Sequence, residues 1–350
     1  MPIDDSIVKL ARSWLEAQSK LAQAAQDIKK ALPQSREFLE TPLIQKMSPQ
    51  SPSGSFCAID GGIACEEFHG LDVAAVRSVA SCFSYENQKL SSCKYFPSSR
   101  PPLEISAISA AGQYEKMRFL SLTRLKSELE CAIGSLEKFS PSYLLLDGSI
   151  APLMEDKPPQ DSQLTPLYDE LILLYTNLYA QCSKKHCTLA GITKDSRARR
   201  LVEIICDSSP QAQSPLSSCL DTVFLDHLLC EGERTCAFRY SASPAKNPVL
   251  KDLGDHSQNI MAFYIKPMEH DRPLRIEFLS NGQQFSQIAD TLSSISSINR
   301  NYAYPAILIE ADLRAALEQN EVEAQMETLA SHIGKKRPLL KLRRNTRPFR

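Results

Sequence analysis

The first thirty residues carry apolar side chains at alternating spacings of three and four. This pattern predicts one helix over residues 4 to 32, with Asp4, Asp5 and Ser6 as candidates for its cap. The apolar stripe is formed by Ile7, Leu10, Trp14, Ala17, Leu21, Ala24, Ile28 and Ala31. A heptad-like stripe fits packing against the helix's own domain, and it equally fits docking against a second copy or a partner protein.

Short apolar runs bounded by turn residues predict strands in the next part of the chain. A Pro/Ser/Gly-rich linker at 47–55 ends the helical region and leads into a strand at 56–60, which Gly61 and Gly62 are expected to break. The extended stretch at 71–85 follows closely enough to form a hairpin with it. Further strands are predicted at 143–149, 188–192, 237–240, 260–266 and 274–279.

Helical periodicity alternates with these strands. We predict helices at 113–139, 166–182, 196–206 and 311–332. Because the first two extended stretches form a hairpin while later strands alternate with helices, the pattern favours an α/β fold with a mixed sheet flanked by helices.

The composition is that of a globular cytoplasmic protein. Of the 350 residues, 43% are hydrophobic and 23% are charged, which permits a large core. Neither a secretory signal nor an apolar run long enough to span a membrane is seen, so we expect a cytoplasmic protein without a membrane partner. The 11 Cys follow no disulfide rhythm, and Cys57, Cys131 and Cys206 lie in apolar runs, so reduced thiols are expected.

Positive charge is concentrated at the C-terminal end. Residues 335–350 carry eight Lys or Arg and no acid, and removing them from the net charge of −1 leaves −9 for the rest. Such a segment fits phosphate binding, and it equally fits a solvated, disordered terminus. We therefore divide the chain into a helical extension at 1–48, a main domain at 49–333 and a basic, flexible tail at 334–350.

The candidate chemistry begins with two carboxylates. Asp60 and Asp147 each follow an apolar run and precede a glycine, an arrangement expected to place an acid at a strand end beside an open turn. If the strands are neighbours, the two acids would repel each other unless a divalent cation lay between them, and hard oxygen ligands suit Mg²⁺ or Mn²⁺. A plain turn explains each Asp-Gly pair equally well.

Two further acids come from predicted helices. Glu128 and Glu130 both flank the apolar face of the helix at 113–139, and periodicity does not separate them. Glu310 and Asp312 lie where the last helix is expected to start, a position that favours acids for helix-dipole reasons alone.

Six short stretches in order resemble the NurA nuclease family over about residues 56 to 320. They are Ala-Ile-Asp60-Gly-Gly, Arg124-x-x-x-Glu128, Leu-Leu-Asp147-Gly-Ser, Ala190-Gly-Ile-Thr-Lys194, Leu274-Arg-Ile-Glu-Phe278 and Tyr304-Pro-x-x-Leu-x-x-Ala-Asp312. The resemblance implies a ribonuclease-H-like fold and a Mn²⁺-dependent DNA nuclease, with Mg²⁺ as the alternative metal. It further implies 5′–3′ exonuclease and single-strand endonuclease activity, a homodimer, and a HerA-type hexameric ATPase (helicase) as partner in DNA end resection and repair.

The same resemblance assigns roles to individual residues. Asp60, Glu128 and Asp147 become metal ligands, and the register from Arg124 favours Glu128 over Glu130. Where many archaeal members have His, this chain has Asp312, which still suits a hard metal and is expected to act as a fourth ligand. Lys194 is expected to hold the scissile phosphate, although a surface lysine explains it almost as well.

Two other functions remain open at this point. One is a non-catalytic NurA-like scaffold that docks on a DNA translocase, which the Asp312 departure favours. The other is an RNA-directed enzyme of the same fold class, because acids that attack a phosphodiester do not distinguish the sugar.

Overall fold

The computed structural model describes residues 5–31, 33–109, 112–209, 216–282, 284–333 and 342. Its contacts divide the chain into two compact units. The first unit comprises residues 1–52, 191–244 and 258–305, and the second comprises residues 53–190, 245–257 and 306–350. The basic tail lies outside the described residues except for Leu342. The boundaries proposed at residues 48 and 333 stay a prediction.

Helices and strands alternate only in the middle of the chain, which is flanked by runs of consecutive strands and, at the end, of consecutive helices. The α-helices are α1 (Asp5–Ala31), α2 (Gln113–Phe139), α3 (Thr165–Lys184), α4 (Arg200–Ser208), α5 (Asp221–Leu228), α6 (Phe285–Ser296), α7 (Ala306–Ala315) and α8 (Gln319–Ile333). The strands are β1 (Ile44–Lys46), β2 (Gly54–Phe68), β3 (Leu71–Glu86), β4 (Lys89–Phe96), β5 (Glu104–Ser109), β6 (Tyr143–Asp147), β7 (Thr188–Thr193), β8 (Glu233–Thr235), β9 (Phe238–Arg239), β10 (Ile260–Lys266) and β11 (Leu274–Leu279).

The second unit contains the mixed sheet that the sequence predicts. β2 pairs with β3 antiparallel, β3 pairs with β4 and β5 antiparallel, and β2 pairs with β6 parallel on its other side. Helix α2 packs on β2 and β3, α3 packs on α2, and α7 packs on β2 and β3. An antiparallel meander joined to a parallel strand and covered by helices is the ribonuclease-H-like arrangement expected above.

The predicted break of the first strand at Gly61 and Gly62 is wrong. β2 continues through both glycines to Phe68, because β3 supplies a partner for every residue, including Ser78 opposite Gly61 and Arg77 opposite Gly62. A continuous antiparallel ladder satisfies the backbone N–H and C=O groups that a turn would leave unpaired. The two glycines instead leave room for groups that pack against β2.

The predicted helix at 311–332 is also wrong, because two helices occupy this region. α7 begins earlier, at Ala306, and ends at Ala315, and α8 starts at Gln319. A residue of the sheet stabilises the corner between them. Arg77 on β3 donates from Nη1 to the carbonyl of Ala316 (3.1 Å) and from Nη2 to Glu321 (2.9 Å). This buried arginine lies far away in sequence, so local periodicity gives no sign of the break.

The first unit is built around antiparallel pairs. β1 pairs with β8, β8 with β10, and β10 with β9 and β11. Helix α1 packs against α5 and joins this core through Leu21, Ala24 and Ile28. The earlier part of its stripe, from Ile7 to Trp14, is exposed. Packing against its own unit therefore accounts for the second half of the predicted stripe only.

One expectation about the cysteines is wrong. Cys57 on β2 lies directly opposite Cys82 on β3, and the structure pairs the two as a disulfide. Cys131 and Cys206 are free, as expected. In the part of the chain that the structure describes, no helix combines the length and the apolar character needed to cross a bilayer.

Candidate metal centre

Asp60 and Asp147 lie side by side at the junction of two parallel strands. The pairing of β2 with β6 ends at Ile59 and Leu146, so the next residue on each strand is one of the two acids. Asp147 ends β6, and Gly148 follows with φ +121°, a conformation that side chains rarely adopt. The strand-end prediction is therefore right for Asp147 and wrong for Asp60, which lies within the longer β2.

Glu128 approaches the two aspartates from helix α2. Its side chain is 11% exposed, and its Oε1 accepts a hydrogen bond from Nη1 of Arg124 at 2.8 Å. The side chain of Glu130 is 47% exposed and lies 3.9 Å from Nζ of Lys126. Periodicity did not distinguish Glu128 from Glu130. The structure does, because only Glu128 is turned toward the aspartates.

Gly61 makes this approach possible. A Cβ at position 61 would lie 2.7 Å from Oε1 of Glu128 and 2.9 Å from Oγ of Ser78, which is closer than real Cβ contacts. Gly62 is used in the same way, since a Cβ there would lie 2.4 Å from the carbonyl oxygen of Ala315 at the end of α7. The Gly-Gly pair therefore admits one helix on each side of β2 instead of ending the strand.

Asp312 joins the cluster from helix α7. Its carboxylate lies close enough to Asp60 to help raise the pKa of that acid. Both Asp312 and Glu310 lie beyond the first turn of α7, so the expectation that they mark the helix start is wrong. Glu310 instead accepts hydrogen bonds from the Tyr95 hydroxyl at 2.7 Å and from Nε of Arg314 at 2.8 Å.

Burial and mutual repulsion change the acidity of the cluster. Desolvation, with further contributions from Asp147 and Asp312, raises the pKa of Asp60 to about 7, although the Gly61 N–H hydrogen bond at 2.7 Å opposes this rise. Desolvation likewise raises the pKa of Glu128 to about 8, against the lowering effect of Arg124. Asp60 and Asp147 add to the rise. When these acids are ionised, the positive charge near them is therefore too small to balance their negative charge.

A hard divalent cation fits the chemistry of this donor set. Carboxylate oxygens are the ligands that Mg²⁺ and Mn²⁺ prefer, and the charge of a cation would relieve the repulsion that raises these pKa values. Among the described residues, no three acidic, His or Cys side chains already converge as the ligands of one ion. Coordination of one ion by these acids would therefore require their side chains to move.

A cavity of about 130 Å³ opens beside the acids. Glu128 and Asp147 line it together with Ser121, Arg124 and Leu153. It gives the carboxylates an approach from the helix side of the sheet.

Ser78 was not predicted as a site residue, and the role predicted for Lys194 came with no predicted contact. The hydroxyl of Ser78 is buried near Glu128 with no hydrogen-bond partner among the described residues, and only the β2–β3 register brings it there. Lys194 belongs to the first unit, where its Nζ lies 4.1 Å from the ring centroid of Tyr304. The second unit brings the four acids together without it, and its phosphate-binding role stays a prediction.

Comparison with known protein families assigns the chain to one of them. The family model described as the NurA domain matches residues 54–317, well over half of the chain and all four acids. The chain belongs to the NurA family. A search of curated protein sequences finds no match.

Solved NurA structures share the fold at low sequence identity. The NurA nuclease from Sulfolobus solfataricus superposes with a TM-score of 0.62 at 18% identity, over 95% of this chain and 97% of that one. A NurA structure with manganese gives 0.58 at 12% identity, over 96% and 100% of the two chains. A NurA bound to dAMP and manganese gives 0.57 at 10% identity, over 97% and 100%. The predicted family and fold class are confirmed.

Proposed function

We propose that this NurA-family chain is a metal-dependent deoxyribonuclease whose metal ligands are Asp60, Glu128, Asp147 and Asp312. The observation that carries the proposal is the placement of Glu128 over Gly61, beside the strand pair that carries Asp60 and Asp147, with Asp312 close enough to raise the pKa of Asp60. Asp60 and Glu128 are buried, and burying uncompensated acids costs stability, so the fold has a use for a cation there.

The residues of the site have separable tasks. The Gly61 N–H fixes Oδ1 of Asp60, and Arg124 fixes Oε1 of Glu128, so both carboxylates are held by rigid elements. Burial and the neighbouring acids raise the pKa of Asp60 to about 7, so Asp60 must lose its proton before it can act as a ligand. When bound, a hard divalent cation supplies Lewis acidity that polarises a phosphodiester and acidifies water.

We propose Mn²⁺ as the metal and Mg²⁺ as the alternative. Two NurA structures that share this fold were solved with manganese, which supports the first choice. Asp312 replaces the histidine of many archaeal members, and an all-oxygen ligand set shifts preference toward harder ions. A direct comparison of the two metals therefore belongs in the first experiment.

The proposed substrate is DNA. The dAMP found in one NurA structure of the same fold supports a deoxynucleotide ligand. The family resemblance also underlies the proposals of 5′–3′ exonuclease and single-strand endonuclease activity, a homodimer, and a HerA-type hexameric ATPase as partner in end resection. A cytoplasmic location belongs to the same proposal.

Cleavage assays with paired variants test the proposal. Labelled single- and double-stranded DNA, with RNA as competitor, would be incubated with Mn²⁺, Mg²⁺ or EDTA. Wild type should degrade DNA only with metal, and Asp60→Asn and Glu128→Gln should each lose at least about a hundredfold. Glu130→Gln, two residues along the same helix and exposed, is the matched control and should retain activity.

Each other result has a distinct meaning. Full activity of Asp60→Asn would overturn the assigned site. Preferential RNA cleavage would overturn the substrate. No cleavage by wild type, alone or beside a HerA-type ATPase, would overturn the enzyme and favour a scaffold.

A further inference from the structure

Four large side chains are exposed at the N-terminal half of α2 and on the loop that follows β6. Tyr114 is 85% exposed and Met117 is 58% exposed, while Leu153 and Met154 are each 51% exposed. We refer to these four residues as the α2 strip. Large apolar side chains exposed close together form a patch of the kind that marks a binding site.

Hydrogen bonds hold the two halves of the strip together. Nε of Arg118 donates to the carbonyl oxygen of Glu155 at 2.9 Å, and Oγ of Ser121 donates to Asp156 at 2.7 Å. These contacts fix the loop against α2 next to Leu153 and Met154. Because Tyr114 and Arg118 are four residues apart, they share one face of the helix.

The strip is continuous with the candidate metal centre. Leu153 also lines the cavity that contains Glu128 and Asp147, and Ser121 and Arg124 line it from α2. Successive turns of the same helix therefore lead from the exposed Tyr114 past two guanidinium groups, Arg118 and Arg124, to the buried Glu128.

We propose that the α2 strip binds the single-stranded part of a DNA substrate, with a base stacked on Tyr114. The inference rests on the proposed nuclease function, because the strip leads to the acids that would cleave the strand. An aromatic face beside cationic groups is the combination that binds single strands, since every base has a π-face and every nucleotide a phosphate. Continuity with the cavity favours this ligand over a protein partner.

The geometry sets the length of strand required. Glu128 follows Tyr114 by fourteen positions, which at 1.5 Å per residue gives about 21 Å along the helix. A single strand with stacked bases advances about 3.4 Å per nucleotide, so about six nucleotides cover that distance. A shorter strand that keeps its bases stacked contacts either Tyr114 or the acids, and not both at once.

A length series tests the inference. Binding of fluorescein-labelled dT4, dT8 and dT16 would be measured by fluorescence anisotropy in EDTA, with wild type, Tyr114→Ala, Tyr114→Phe and Leu173→Ala. Tyr114→Ala should bind all three oligonucleotides about fivefold or more weakly, because even dT4 can stack a base on the ring, and Tyr114→Phe should restore binding. Leu173 is an exposed apolar residue of α3 and serves as control, so its variant should match wild type.

Cleavage separates this inference from the function on which it rests. With metal present, Tyr114→Ala should raise KM for dT16 and leave kcat, and the cleavage of dT4, unchanged. Equal binding by Tyr114→Ala and wild type at every length would overturn the strip while leaving the nuclease intact. Weaker binding by Tyr114→Ala, combined with a wild type that binds DNA but does not cleave it, would support the strip and overturn only the nuclease. An equal loss in Leu173→Ala would also overturn the assignment.

Discussion

Replacing Glu128 by Gln should stabilise the metal-free protein at alkaline pH while removing its function. The substitution keeps the shape of the side chain and an acceptor for Arg124, and it removes the ionisation of a buried acid. Burial, Asp60 and Asp147 raise the pKa of this carboxyl to about 8 from an ordinary value of 4.5. The folded state therefore disfavours a charge that the cation is proposed to require.

The magnitude follows from the two pKa values. The unfolded chain loses this proton near pH 4.5 and the folded chain near pH 8, so the folded state binds more protons between these values. Stability without metal consequently falls as pH rises through that window. One pKa unit corresponds to about 1.4 kcal/mol, which gives a loss of about 1 kcal/mol at pH 5 and about 4 kcal/mol at pH 8. Gln avoids this loss.

Urea unfolding followed by circular dichroism measures the effect. In EDTA, Glu128→Gln should exceed wild type by about 4 kcal/mol at pH 8 and by about 1 kcal/mol at pH 5. Glu130→Gln, whose side chain is 47% exposed, should stay within about 0.5 kcal/mol of wild type at both pH values. Saturating Mn²⁺ at pH 8 should stabilise wild type and Glu130→Gln more than Glu128→Gln.

Two results would refute the reasoning. If Glu128→Gln is no more stable than wild type at pH 8 in EDTA, the buried charge is not destabilising. If its advantage is the same at pH 5 and pH 8, the effect comes from packing and not from ionisation.

Three further predictions test neighbouring parts of the structure. Gly61→Ala should push Glu128 aside and lower metal-dependent cleavage at least about tenfold, measured as kcat, because helix and strand leave no room for a Cβ at 2.7 Å from Oε1; unchanged kcat would contradict the close approach. Arg77→Ala should destabilise the protein by about 3 kcal/mol in urea unfolding, with partial rescue by Arg77→Lys, because the buried guanidinium holds Glu321 and the α7–α8 corner; a loss below about 1 kcal/mol would show that the corner is held elsewhere. Mn²⁺ binding should release between about one and two protons at pH 6 and almost none at pH 9, because Asp60 and Glu128 have pKa values raised to about 7 and about 8; calorimetry in buffers of different ionisation enthalpy measures the number, and proton release that does not change with pH would contradict the assignment.

Local patterns were sufficient where the signal lies within one element. The bounds of β10 and β11 coincide with the predicted runs, and α2 with the predicted helix, because burial imposes a period on each segment separately. The glycine after Asp147 also marked the end of β6 correctly, since Gly148 has φ +121°. The motif order also indicated the family, since six short stretches need no knowledge of their contacts.

Local patterns gave wrong predictions where contacts between distant segments decide the structure. Gly61 looks like a strand breaker in sequence, but β3 supplies its partner and Glu128 occupies the space of its missing side chain. The α7–α8 corner depends on Arg77, and the Cys57–Cys82 disulfide depends on the register of the hairpin. In each case the deciding group lies many residues away.

The sequence by itself determined which acids were available, the family and the kind of sheet that would carry them. Only the tertiary structure decided that Glu128 and not Glu130 faces Asp60, that Asp312 reaches the same point from α7, and that Glu310 turns to Tyr95 instead. The physical reason is that acidity and metal affinity depend on burial and on distances between charges. Both are set by packing between elements, on which the periodicity of a single helix or strand carries no information.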